Sequence, residues 1–172
     1  IDALSQKASF VCFSSDNFFI HKKNAIDEIN FRSLIEDPEI KKHLIEAGEE
    51  ETDHLVWCKK RLDELEGRGS ILNPIWYAGS FAIGAVFGNF GEKVSLGFVE
   101  ETEKQVVAHI DKHLNKISPK DKETIEILKT MREDEDLHAQ QAVDNGGEEL
   151  KIPTKKIMSA TAKVMTSTSA YI

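Results

Sequence analysis

Apolar side chains recur along most of this chain three and four residues apart, the spacing that lines one face of an α-helix. Thr124, Leu128, Met131, Glu135, His138 and Ala142 form one such row. Leu96, Val99, Glu103, Val106, Ile110 and Leu114 form a second, and Ile40, Leu44, Gly48, Glu51, Leu55, Cys58 and Leu62 a third, with His54 at its edge. Start and stop signals bracket these rows. Asp37-Pro38 and Ser118-Pro119 each pair a cap residue with a proline suited to the first helical position. Gly67-Arg68-Gly69 and Gly146-Gly147 close the helices so opened, and a further helix is predicted over 92–117. No strand-like alternation of any length interrupts the pattern, so the chain is predicted to be all-α.

Three segments depart from it. In residues 1–33, Phe10, Val11, Phe13, Phe18, Phe19 and Ile20 supply apolar content, but Ser14-Ser15-Asp16-Asn17 breaks any single helix. Helical periodicity returns over 25–35 with Ile26, Ile29 and Leu34 inward. Residues 69–91 carry no charge over 23 positions, nominally the length of a membrane span. Five glycines, two asparagines, two serines and a proline make a poor one. A helix over 73–90 is predicted instead, buried in a bundle or lying in a membrane interface. Ser80, Gly84 and Gly88 put small residues at every fourth position, which lets a helix or a flat ligand approach the backbone. Pro153 opens a last helix in which Ile157, Ala160, Val164, Met165 and Tyr171 alternate with Lys155, Lys156 and Lys163, either interfacial or docked on the bundle.

Each of the three rows carries a carboxylate where an apolar residue belongs: Glu51, Glu103 and Glu135. A buried carboxylate is costly unless it is paired or binds a metal. Two of the three open a Glu-x-x-His, Glu51 to His54 and Glu135 to His138. With 19 glutamates and 6 histidines in 172 residues, chance alone supplies such a motif about 0.7 times. Placement on the apolar rows, rather than the motif, therefore points to chemistry. Glu103 precedes Glu135 by 32 residues, enough to run down one helix and back up the next. One carboxylate from each of two helices plus a Glu-x-x-His from each of two others is the ligand set of a di-iron carboxylate bundle. The remaining carboxylate is expected about 30 residues before Glu51, where the chain offers His21, Asn24, Asp27 and Glu28.

At 172 residues the chain is long enough for one domain with a sizeable core, and it is read as a single domain over 1–172 with an atypical segment at 1–33. A net charge of −8 argues against nucleic acid as a partner. Cys12 and Cys58 match no metal or redox spacing and suggest buried thiols in a reducing compartment. Phosphate-cradling loops, nucleophile elbows and Walker patterns are absent from the sequence.

The blocks EAGEEETDHLVWCKKRL, ILNPIWYAGSFAIGA, KVSLGFVEETEKQVVAHIDKHL and MREDEDLHA resemble those of the Coq7 family of demethoxyubiquinone hydroxylases, in its shorter bacterial form. The resemblance runs from about Leu34 to the C-terminus. It implies a ferritin-like four-helix bundle with additional hydrophobic or amphipathic helices. It also implies two iron ions and a dioxygen-dependent hydroxylation of a polyprenyl benzoquinol late in ubiquinone synthesis. Glu51, His54, Glu103, Glu135 and His138 match the family's metal ligands, and His109 matches a histidine near the iron site; no catalytic residue is implied beyond the ligands. The uncharged stretch containing Trp76, Phe81, Gly84 and Gly88 matches its membrane-facing, quinone-binding region. The family's His-x-Gly-Glu block, whose glutamate is the first iron ligand, has no counterpart here, so one tight and one weak iron site are expected. The implied setting is peripheral, on the cytoplasmic face of the bacterial inner membrane, with a homo-oligomer or a ubiquinone-synthesis complex as the assemblies to consider. Two rivals remain: a ferroxidase-type iron protein, and a non-catalytic lipid- or quinone-binding bundle whose metal site is incomplete.

Overall fold

The structure, a computed structural model, describes residues 37–67 and 69–169. Within them the chain forms five helices and no strand: α1 (Pro38–Glu64), α2 (Asn73–Gly88), α3 (Glu92–Leu114), α4 (Lys122–Asp144) and α5 (Ile152–Ser169). The predicted segment at 25–35, and with it His21, Asn24, Asp27 and Glu28, lies outside the described residues.

α1 begins where the sequence says it should. The Asp37 carboxylate accepts from the Glu39 amide at 2.8 Å and the Ile40 amide at 3.4 Å, satisfying donors that a helix start leaves orphaned. α4 does not begin at Ser118-Pro119. It starts at Lys122, capped by Asp121, whose carboxylate takes the Thr124 amide at 3.2 Å and its hydroxyl at 2.8 Å. The choice of cap is tertiary: Arg61 of α1 reaches the same Asp121 carboxylate at 2.8 Å and the Thr124 hydroxyl at 2.8 Å. α4 closes at Gly146, whose φ of 87° is a conformation side chains other than glycine rarely adopt.

α3 and α4 form the closest pair, α1 lies along α4, and α2 and α5 both pack on α3. The core cluster is Cys58, Val106, Ile110, Leu128 and Met131, drawn from the three apolar rows. Every position of the α4 row is buried, as are Leu96, Val99, Glu103, Val106 and Ile110 of the α3 row. The α1 row is turned slightly from its expected position: His54 is fully buried rather than at an edge, and Leu55 is half-buried. Cys58 is not a free thiol. Its sulfur is in a disulfide, 3.7 Å from the Met131 sulfur, and the sequence's other cysteine, Cys12, lies outside the described residues.

Phe87 of α2 stacks on Phe98 of α3 with ring centroids 4.2 Å apart. The loop after α4 crosses α3 at Gly97, where the Glu148 amide donates to the Lys93 carbonyl at 2.8 Å. A side-chain carbon at Gly97 would lie 2.9 Å from the Glu148 carbonyl carbon, so glycine is what admits the crossing. The crossing leads into α5, which packs on α3. Among the described residues no helix is long and apolar enough to cross a membrane.

Candidate metal centre

Five metal-type donors meet between α1, α3 and α4: Glu51 and His54, Glu103, and Glu135 and His138. All are buried, with His54 and Glu135 at 0% exposure and Glu51 at 1%. Glu51, His54 and Glu135 each offer a ligand atom within 4.8 Å of the others. The His54 Nδ1 stands 3.6 Å from Glu51 Oε2 and 3.6 Å from Glu135 Oε1. The His138 Nδ1 stands 3.7 Å from Glu135 Oε2 and 4.0 Å from Glu51 Oε1. Each imidazole thus turns Nδ1 towards both motif glutamates, and Glu103 completes the group against Glu135 and Glu51.

The outer nitrogens are held crosswise. The His54 Nε2 is 2.9 Å from Asp134 Oδ2 on α4, and the His138 Nε2 is 2.8 Å from Glu50 Oε2 on α1. The acid preceding each motif glutamate therefore holds the histidine of the opposite motif. Such a contact, with Nε2–H donating to the carboxylate, leaves Nδ1 as the metal-facing nitrogen. Asp53 and Asp134 each stand next to a motif residue in sequence. Asp134 takes the role, Asp53 is exposed, and Glu50 was missed because its partner is 88 residues away on another helix.

Crowded carboxylates and imidazoles shift one another's titration. Burial, and then the neighbouring Glu135 charge, pushes the Glu51 carboxyl up to about 7. Burial followed by Glu135 and Glu51 raises Glu103 well above the usual range. Burial works against the His54 imidazolium, but Glu135, Glu51 and Asp134 outweigh it and hold the ring up to about 11. Glu135 is kept low against its burial by His138 and His54.

This donor set suits a metal. Both oxygens of Glu51 and the Glu103 Oε2 are buried without a hydrogen-bond partner, an unfavourable state that a cation relieves. Oxygen and imidazole donors without thiolate match iron, manganese or zinc rather than a soft metal.

A cleft of about 1000 Å³ opens on the other side of α3, walled by α2, α3 and α5. Its lining is mostly apolar, including Ile83, Phe87, Phe98, Val106 and Ile157, with His109 as a polar group. His109 meets His113 at 2.7 Å between Nε2 atoms, a pairing with no motif to mark it. Burial, then the neighbouring His113, Lys112 and Lys116, drives the His109 ring down to about 3, so it is neutral near pH 7. Trp76, Gly84 and Gly88, expected in the quinone-binding region, are not among the described residues that line this cleft. Gly84 and Gly88 are buried, Trp76 is half-buried with its indole N–H unpartnered, and the Phe81 side chain lies outside the described residues.

A family model described as ubiquinone biosynthesis protein COQ7 matches residues 24–169. A 3-demethoxyubiquinol 3-hydroxylase of Legionella pneumophila (strain Lens) is 53% identical over 133 residues, covering 77% of this chain and 62% of that protein. A protein of the same description from Ralstonia pickettii (strain 12J) is 51% identical over 135 residues, covering 78% and 62%. One from Variovorax paradoxus (strain S110) is 45% identical over 140 residues, covering 81% and 67%. The chain spans about 62% of the length of the first two of these relatives. With most of its length matched, and with the matched region carrying both Glu-x-x-His motifs, the chain belongs to the COQ7 family of ubiquinone biosynthesis proteins.

Proposed function

We propose that this chain is a di-iron monooxygenase that hydroxylates a polyprenyl demethoxybenzoquinol, a 3-demethoxyubiquinol 3-hydroxylase. The observation that carries this reading is the pairing of five buried metal-type donors with a large apolar cleft on the adjoining face of α3. Glu51, His54, Glu103, Glu135 and His138 are the ligands in this reading, within one domain of ferritin-like architecture. Two irons, when bound, supply the reduction of dioxygen that makes hydroxylation of an aromatic carbon accessible. The protein's own contribution is position and dryness. Val106 follows Glu103 by one turn and lines the cleft, so a ring resting there lies against the wall that carries a ligand. The neutral His109 presents a polar group to the quinol head without placing a fixed charge in an apolar space.

Exposed Ile83 and Val86 of α2 and Ile157 of α5 line this cleft, and Ile75, Phe90, Ile152 and Val164 on or beside the same two helices are exposed as well. That supports a peripheral place at a membrane surface, in this reading the cytoplasmic face of the bacterial inner membrane, where a polyprenyl tail stays in lipid while its head enters the protein.

A second reading, a quinone-binding bundle with an incomplete metal site, is favoured by one observation. Among the described residues a single group of three, Glu51, His54 and Glu135, has ligand atoms mutually within reach. Iron reconstitution of the full chain separates the two. About two irons per chain, together with accumulation of demethoxyubiquinone in cells lacking the protein, supports the hydroxylase. One iron or fewer per chain, with an unchanged quinone profile, supports the binding bundle.

A further inference from the structure

A second and much smaller cavity reaches the ligand cluster from another side. It has a volume of about 20 Å³ and lies between α1, α3 and α4. Glu103 and His138 stand in its lining, and Ala47, Leu96, Val99 and Ala142 supply aliphatic wall. Half-buried His43, Gln141 and Asn145 mark its outer end. Among the described residues, none lines both this cavity and the large cleft. At about 100° per residue, the positions of α3 that face the small cavity lie roughly 130° around the helix from those that face the cleft.

Size and lining restrict what can use it. Holding one small molecule takes roughly 10–15 Å³ of space measured this way, so the cavity holds one small molecule and no aromatic ring. Between the polar outer end and the ligands the wall is aliphatic, and there a divalent cation would lose its oxygen shell. A nonpolar diatomic gas forfeits no hydrogen bond there. We propose that this cavity is a dioxygen inlet to the ligand cluster, separate from the quinol cleft and narrowed by Ala47 and Ala142. The inlet rests on the hydroxylase reading, because it assigns dioxygen as the second substrate. It also implies that a quinol filling the cleft does not block gas entry.

The first test needs no iron. Dissolved dioxygen is paramagnetic and speeds relaxation of the methyl groups it visits. In the metal-free full chain under oxygen pressure, the methyls of Ala47, Val99 and Ala142 should relax several-fold faster than those of Ile110 and Met131, which are at 0% exposure. Equal enhancement across these methyls overturns the inlet. The second test uses iron-loaded protein. Ala142→Leu should raise the KM for dioxygen by about tenfold while leaving the KM for a short-chain quinol unchanged. Ala47→Val should do the same to a smaller degree and covers the case in which the leucine variant fails to fold. Normal hydroxylation with an unchanged dioxygen KM in the folded variants sinks the inlet alone. Two irons bound without any oxygen-dependent hydroxylation sinks the hydroxylase reading and the inlet with it.

Discussion

At the scale of single residues, the crosswise contacts Asp134–His54 and Glu50–His138 carry a specific expectation. Removing an acid that holds a metal-facing histidine typically lowers metal affinity by about 10- to 100-fold. Asp134→Asn should therefore weaken binding at the His54 side, and Glu50→Gln at the His138 side, with helix content unchanged. Cobalt(II) titration followed by visible absorption and circular dichroism reads both quantities. Equal affinity in the variants and the parent would show that these acids are surface charges only. Protons should also respond to metal. Glu51 is raised to about 7 and His54 to about 11 in the metal-free chain, so a cation must displace protons that these groups hold at neutral pH. Affinity should rise with pH, and calorimetry in buffers of different ionisation heat should show net proton release. A binding heat independent of buffer counts against this protonation pattern. Glu135→Ala, which removes the carboxylate lying between both histidines, should abolish metal binding.

At the scale of elements, the meeting of α1 and α4 depends on Arg61. The cap at Asp121 is shared with that guanidinium, and Glu64 and Glu123 flank it at 2.9 and 3.1 Å. Asp121→Ala should cost about 1–2 kcal/mol, the upper range for a lost cap, read as a lowered chemical-denaturation midpoint. Burial works against ionised Asp121, but Thr124 and Arg61 more than offset it and hold its pKa low. A folded pKa below the unfolded one stabilises the protein above the unfolded pKa, and the contribution fades as pH falls through the folded value. The Asp121→Ala deficit should accordingly shrink at strongly acidic pH. The same element shows what a sequence can and cannot say. The α4 row from Thr124 to Ala142 was legible because its period depends only on the helix. Its first residue was not, because Ser118-Pro119 and Asp121 are both plausible caps locally and the choice falls to an arginine 60 residues away. Glu50 was illegible for a like reason, since its neighbours in sequence say nothing of a histidine on α4. The inward turn of His54 depended on which side of α1 the other helices occupy, and periodicity alone leaves that within one residue's rotation.

At the scale of the whole molecule, one face gathers the uncharged α2, the apolar side of α5 and the cleft between them. Replacing Ile157 and Val164, exposed at 67% and 55%, with glutamate should reduce co-flotation with lipid vesicles while sparing metal binding. Unchanged flotation would mean that this face does not meet the bilayer. The width of that cleft is governed from a distance. α5 forms one wall, and its approach to α3 is fixed where Glu148 crosses Gly97, a point outside the cleft's lining. Gly97→Ala would drive a methyl into the Glu148 carbonyl oxygen, so the strap must lift and carry the start of α5 outward. Gly97 thus behaves as a spacer in a hinge: a single methyl there would widen the cleft between α2, α3 and α5 without altering any residue of its lining.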